Sequence, residues 1–335
     1  MHVWIVGGAG LIGSHLAQRL RRHHEVLVSD SFRALRSMAP GPCRDLAERA
    51  CDARLAGVDV LEIDVRDTTA MRRAAHAFQP EVVVWLAALL ASESRQAPAE
   101  AQEVQVDAFA RYLSEGRGGA RRVVLASSSY AYGHFTVSPT PETAPLSPVD
   151  VYGRTKTQAE GLLAEAASVD GFEHVAVRPS AVLGPGDPRA RFGCVAIENA
   201  LHEGLVRVAE PDFVSDFTYV SDAAHGFAAA AEHADPPDVF NLAYGEARTN
   251  EDLGRTIAAH TGARLELLPS TWRSTGYVPS RGALDVTRAQ RLGCAPRLGL
   301  DAAVTAFLRD RRQLLESGTA EARSGRREAT WIARD

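Results

Sequence analysis

Tyr152 and Lys156 stand four residues apart in the run Val-Tyr-Gly-Arg-Thr-Lys (residues 151–156), and Lys156 is the sole lysine among 37 Lys and Arg residues. Every other basic position of the chain accepts arginine. An ammonium has a use here that the wider guanidinium fork does not share. It is a compact point charge that bonds ribose hydroxyls and lies close to a phenol. Residues i and i+4 are neighbours on a helix. A cation there is expected to draw the Tyr152 phenol down from about 10 toward working pH by favouring phenolate. A phenol so tuned serves as a general acid and base. A Tyr-x-x-x-Lys pair is also an ordinary helix face, so the reading rests on what accompanies it.

A glycine-rich turn accompanies it. Val3-Trp4-Ile5-Val6 reads as a strand, Gly7-Gly8-Ala9-Gly10-Leu11-Ile12-Gly13 follows, and an amphipathic helix spans about Leu11 to Arg22. A second strand, Glu25 to Ser29, ends at Asp30. Strand, glycine turn, helix, strand and acid form the context in which such a motif binds a dinucleotide. Gly7 permits the tight turn. Gly10 lets backbone N–H groups at the helix start, beside Leu11 and Ile12, approach a pyrophosphate. Gly13 allows close packing of helix on sheet. Asp30, next to Ser31, lies where a carboxylate accepts the adenosine ribose hydroxyls. The same charge repels a 2′-phosphate and favours NAD, while Arg33 is the one feature that keeps NADP open.

The alternation continues. Strands are expected at 58–63, 82–86, 122–126 and 174–178, with helices at 68–78, 98–115 and from Tyr152 to about Ala167. This predicts an α/β fold with a doubly wound parallel sheet and its chemistry at the carboxyl ends of the strands. Residues 34–57 read as an insertion without a functional signal. A chain of 335 residues exceeds one growing core. The expected division is a dinucleotide-binding domain over 1–180 and a smaller mixed α/β substrate domain over 181–316, some of whose segments return to the first. Residues 317–335 form a charged tail.

The bulk numbers exclude other classes. A net charge of −5 leaves no basic footprint for nucleic acid. No apolar run approaches membrane-spanning length, and the first residues enter a strand without the design of a signal peptide. Cys43, Cys51, Cys194 and Cys294 have neither metal-ligand spacing nor a disulfide framework. The expectation is a reduced, cytoplasmic protein without a metal.

At this point the chain resembles the extended short-chain dehydrogenase/reductase family over about residues 1–316. The spacing of Gly7, Gly10 and Gly13 is that family's form. Asp64-Val65 resembles its adenine-contacting pair, and Leu86-Ala87-Ala88 its cofactor loop. Ser127-Ser-Ser-Tyr-Ala-Tyr-Gly133 resembles its active-site strand end, and Tyr152 with Lys156 its Tyr-x-x-x-Lys. Arg178-Pro179, Gly184-Pro185, the run Asp216 to Asp222 and Leu292-Gly293 resemble later landmarks. The resemblance implies a triad of Ser128, Tyr152 and Lys156. Tyr152 exchanges a proton with a substrate hydroxyl while hydride moves to or from the nicotinamide. Ser128 holds the same oxygen, and Lys156 binds the nicotinamide ribose. Pro179 joins the cofactor-binding residues.

The departures from the family pattern bear on the substrate. Dehydratases carry acidic residues after the catalytic hydroxyl, whereas this chain has Ser129 and Tyr130, so dehydration is not expected. Tyr130 is read either as a group facing the substrate, by stacking or as a second proton donor, or as packing on the lid of the pocket. The family's diphosphate-holding Asn and Arg align with Ala181 and Ser215. Charge-assisted contacts of arginine to phosphate are not replaced by serine, so the expected substrate is either an atypical nucleotide sugar held by other arginines, with Arg189, Arg191 and Arg281 the candidates, or one without a nucleotide. Arg281 is the best placed, because relatives also carry a phosphate-binding arginine before the stretch equivalent to Asp285–Ala289.

Together these readings describe an NAD-dependent epimerase of a sugar, most simply a nucleotide sugar, acting by transient oxidation of a secondary alcohol. A ketoreductase of a sugar-like substrate is the alternative, and a non-catalytic dinucleotide sensor is the third. The resemblance also implies a homodimer through the helices at 98–115 and 152–167, for which Val104, Ala108, Ala159, Leu162 and Leu163 supply apolar faces; the same residues can instead pack on the sheet.

Overall fold

A computed structural model describes residues 1–115, 117–270, 281–316 and 327–328. Its centre is a parallel sheet ordered β10-β6-β5-β4-β1-β2-β3-β13. The strands are β1 (His2–Val6), β2 (Glu25–Asp30), β3 (Asp59–Glu62), β4 (Val82–Trp85), β5 (Arg122–Ala126), β6 (Glu173–Pro179), β10 (Val239–Leu242) and the two-residue β13 (Arg327–Glu328). Strand β4 reads Val-Val-Val-Trp and is buried throughout, as a strand covered on both faces requires. The direction in which successive strands are added reverses between β1 and β4, which opens a crevice at their carboxyl ends.

Helices α1 (Leu11–Leu20), α3 (Pro42–Leu55) and α10 (Val220–Glu232) accompany one face. Helices α4 (Thr68–Phe78), α7 (Ala108–Glu115) and α8 (Val151–Asp170) accompany the other. Trp4 and Trp85 are buried beneath the second group, with Trp85 5.0 Å from Phe109 and from Tyr112. A mixed three-stranded sheet, β11 (Ala247–Thr249), β9 (Val214–Tyr219) and β7 (Ala181–Leu183), and a parallel pair, β12 (Arg264–Leu267) with β8 (Leu205–Val208), build the smaller part. Strand β10 leaves that part and pairs with β6 from Val239↔Ala176 to Leu242↔Pro179. No helix among the described residues is long and apolar enough to cross a membrane.

Two expectations change and one open choice closes. The segment at 34–57 is no idle insertion. Its helix α3 packs on α1 and on α9 (Phe192–Glu203), and the buried Arg54 donates to the Pro185 carbonyl at 3.0 Å. The helix expected at 98–115 is interrupted by a π-helical turn, Glu103–Asp107. That turn directs the buried Gln105 into helix α8, where its amide donates to Thr155 Oγ1. Of the two uses left open for the apolar faces, packing within the chain is the one seen: Val104, Ala108, Ala159 and Leu163 are buried in the core beneath the sheet, and Leu162 is half-buried against it. Of the tail, only Arg327–Glu328 lies within the described residues, paired in parallel with β3.

Candidate active site

The first wall of the crevice follows from local geometry. Gly7 has φ +81°, and a Cβ there would lie 2.5 Å from the Ala87 nitrogen. The turn therefore runs against the loop after β4 as no L side chain allows. Helix α1 starts with no side chain capping it, so its first N–H groups are left to an anion. Gly7, Gly10, Leu11, Ile12 and Gly13 line the crevice with Asp30, Ser31, Asp64, Val65, Leu86, Ala87, Ala88 and Pro179. The Asp30 carboxylate accepts the Ala9 N–H at 3.0 Å and the Phe32 N–H at 2.7 Å, which fixes its orientation. Burial pushes this carboxyl above its ordinary range, with those two N–H groups and Arg189 acting against the rise. Arg33, the residue that kept NADP open, is turned to Glu100. Asp64 pairs bidentately with Arg66, at 2.9 and 2.6 Å, and this holds its carboxyl below the usual range. An uncapped helix start, a close-approach glycine and an oriented acid at the end of β2 are the parts an adenine dinucleotide requires, and the residues fit it.

The second wall carries the candidate catalytic groups. Helix α8 begins at Asp150, whose side chain accepts the Gly153 N–H at 2.7 Å, a carboxylate N-cap. This places Tyr152 in the first turn and Lys156 one turn on. At Gly153 a Cβ would lie 2.5 Å from the Tyr130 carbonyl, so glycine lets the helix press on the short 3-10 turn Ser129–Tyr132. The Ser128 hydroxyl acts to lower the Tyr152 phenol and accepts the Tyr130 N–H at 3.2 Å. Lys156 is buried, donates to the Ala126 carbonyl at 2.7 Å, and lies 5.6 Å from the Tyr152 ring centre. Ser128, Tyr152 and Lys156 all face the crevice.

The expected tuning of the phenol needs correction. Burial pushes Tyr152 up to about 12, while the Ser128 hydrogen bond and Arg191 act downward. Lys156 itself is lowered to about 8 by burial, with Glu160 opposing. Burial is the largest cause for each group.

The substrate candidates separate. Arg189 and Arg191 line the crevice. Arg189 pairs with Glu93 and donates to the Ala88 carbonyl at 3.0 Å. Arg191 donates to Asp187 at 2.6 Å. Ser129, Tyr130, Ala181, Ser215 and Arg281 do not line the same wall. Ser215 is buried in β9 opposite Arg248. Tyr130 meets the Tyr152 ring edge-on at 5.3 Å, and Arg281 lies against the far side of this group.

Sequence reasoning passed over what holds the strand end. Arg178, 5% exposed, donates through Nε and Nη2 to Glu160 at 2.9 and 2.6 Å. It also donates through Nη1 to Tyr132 Oη at 2.9 Å. Glu160 accepts the Ser127 hydroxyl, and Tyr132 donates to Asn241 of β10 at 2.7 Å. Ser128 is thus pinned from both sides by one ion pair. The available signal was the position of Glu160, one further turn beyond Lys156 on the same face.

Comparison with known proteins agrees with this geometry. Residues 3–243 match the NAD dependent epimerase/dehydratase family. A UDP-glucose 4-epimerase of Mycolicibacterium smegmatis is 28% identical over 310 residues, covering 90% of this chain and 95% of that protein. The structure of a Thermotoga maritima UDP-glucose 4-epimerase with UDP-glucose superposes with a TM-score of 0.77 at 26% identity, over 94% of this chain and 100% of that one. A Thermus thermophilus UDP-glucose 4-epimerase in complex with NAD gives 0.77 at 26% identity, over 93% and 99%. The chain is therefore an NAD-dependent enzyme belonging to the NAD dependent epimerase/dehydratase family, within the extended short-chain dehydrogenase/reductases.

Proposed function

We propose that this enzyme is an epimerase of a nucleotide sugar, inverting one secondary alcohol by transient oxidation. The observation that carries the reading is the Ser128–Tyr152–Lys156 constellation opposite the glycine turn in a single crevice. The glycine turn, the start of α1 and Asp30 hold the dinucleotide, while Lys156 is the ribose-binding cation. NAD, when bound, supplies a reversible hydride acceptor. Tyr152 Oη takes the proton of the substrate hydroxyl and later returns it, with Ser128 bonding the same oxygen throughout. The phenol sits at about 12 in its buried place, so the transfer relies on the donors and charges that lower it, Ser128 and Arg191 among them. Arg281, Arg189 and Arg191 are the anion-binding set for the diphosphate, in place of the residues that Ala181 and Ser215 replace. A homodimer acting in the cytoplasm completes the proposal. Its interface lies on the outer faces of α7 and α8, since the inner faces are used by the core, and sedimentation of the purified protein tests it.

The first experiment is to denature the freshly purified protein and identify the released dinucleotide by mass. Near-stoichiometric NAD is expected, because an epimerase returns the hydride to its substrate and has no need to exchange cofactor. UDP-glucose and UDP-galactose are then supplied separately, and interconversion is followed by NMR. Protein free of dinucleotide that reduces a ketone with added NADH would replace this reading with a ketoreductase.

A further inference from the structure

Tyr130 stands two residues beyond Ser128, and its ring has a defined occupant on its face. The Arg281 guanidinium carbon lies 3.6 Å from the Tyr130 ring centre. Nη1 of the same arginine donates to Ser129 Oγ at 3.3 Å, and the Phe213 ring lies 5.8 Å from the guanidinium. A planar, weakly hydrated guanidinium stacks on an aromatic face as an ammonium does not, and the attraction grows as the cation leaves water. Arg281 is half-buried. At its edge the Tyr130 ring touches Tyr152, 5.3 Å between centres. Tyr130 thus contacts both the candidate catalytic phenol Tyr152, through a T-shaped ring pair, and the Arg281 guanidinium, across its face. Arg189 and Arg191 pair with the carboxylates of Glu93 and Asp187.

We propose that Tyr130 is a specificity-determining positioning residue: its ring seats the Arg281 guanidinium so that this cation meets the diphosphate of the nucleotide sugar. This rests on the nucleotide-sugar reading above. The sequence left Tyr130 facing the substrate, by stacking or as a proton donor, or packing on the lid; the role proposed here is a different one, with Arg281 on the ring face. The substitution of Ser215 for the usual arginine fits the same account. A chain with one phosphate contact removed gains by holding the remaining one in a set orientation, since less side-chain freedom is lost on binding.

The test is calorimetric titration of the intact enzyme, with its own dinucleotide bound, using UDP and uridine as probes. Wild type is expected to bind UDP more tightly than uridine. Tyr130→Phe keeps the ring and is expected to hold UDP affinity within about threefold. Tyr130→Leu is expected to weaken UDP roughly tenfold, the worth of one desolvated cation–aromatic contact, with uridine binding and dinucleotide content unchanged. Arg281→Leu loses at least as much, and the double variant binds no worse than Arg281→Leu alone, because Tyr130 acts through that arginine. UDP affinity insensitive to Tyr130→Leu, or losses that add in the double variant, would overturn the proposal alone. A wild-type enzyme that shows no preference for UDP over uridine would overturn the nucleotide-sugar reading and this proposal with it.

Discussion

Replacing Glu160 by Gln removes one partner of a buried ion pair and keeps the volume. The Glu160 and Arg178 side chains are 11% and 5% exposed, so water cannot take over the two hydrogen bonds the carboxylate accepts from the guanidinium. Breaking such a pair from one side costs about 3–5 kcal/mol, mostly the burden of an uncompensated charge. At about 2 °C per kcal/mol for a chain of this length, the melting temperature should fall by about 5–10 °C. The double variant Glu160→Gln/Arg178→Met removes both charges of the pair and should recover at least half of that loss. The same change reaches Lys156. Burial sets its ammonium at about 8, and the Glu160 charge raises it. Without that charge the ammonium loses its proton at lower pH. The limb of the turnover profile that falls as pH rises through about 8 should therefore move to lower pH. Thermal unfolding followed by circular dichroism and a pH series of initial rates read both effects. A melting temperature within about 2 °C of wild type, or a double variant less stable than the single one, would refute the argument that this pair is a closed electrostatic unit. A limb that stays in place would refute the link to Lys156.

Tyr152→Phe removes the proton-exchanging oxygen and should lower turnover by about 10²–10⁴, while dinucleotide content by mass stays as in wild type. Lys156→Arg keeps the charge but brings a wider head into a fully enclosed place beside the Ala126 carbonyl; the expected result is loss of dinucleotide from the purified protein together with loss of turnover. Gly7→Ala sets a Cβ 2.5 Å from backbone at φ +81°, and the purified variant should release no NAD on denaturation. Asp30→Ala deprives the Ala9 and Phe32 N–H groups of their acceptor and should weaken NAD by about tenfold, the scale of one charge-assisted bond, as read by fluorescence titration.

Much of this site was legible because its signals are local. The glycine turn, Asp30 at the end of β2 and the four-residue spacing of Tyr152 and Lys156 each lie within one or two adjacent elements, and short periodicity reports them. The Arg178–Glu160 pair joins residues 18 apart on different elements; the place of Glu160 one turn beyond Lys156 marks the acid, but nothing local names its partner. The elevated phenol of Tyr152 was missed for a related reason. Spacing tells which charges are near, whereas the depth of burial that outweighs them is a property of the assembled layers. The apolar faces of α7 and α8 pointed equally to a partner or to the sheet, and only packing decided for the sheet. The seating of Arg281 on Tyr130 joins positions about 150 apart, beyond any local reading.

Strand β10 has a consequence for how the enzyme comes into being. Its Asn241 accepts the Tyr132 hydroxyl and donates to the carbonyls of Thr140 and Asp285, so the turn behind Ser128 is completed by a residue made more than a hundred positions later. A ribosome that has released the whole dinucleotide-binding half has not yet released a finished active site. Pairing of β10 with β6 joins segments about sixty residues apart, and such non-local contacts carry a loop-closure cost. Any fragment ending before residue 242 lacks both an edge of the main sheet and the anchor of the reactive turn. The two halves of this chain are therefore not modules that evolution or an engineer can exchange at the boundary near 180. A graft that respects the fold must carry β10 with the half it completes.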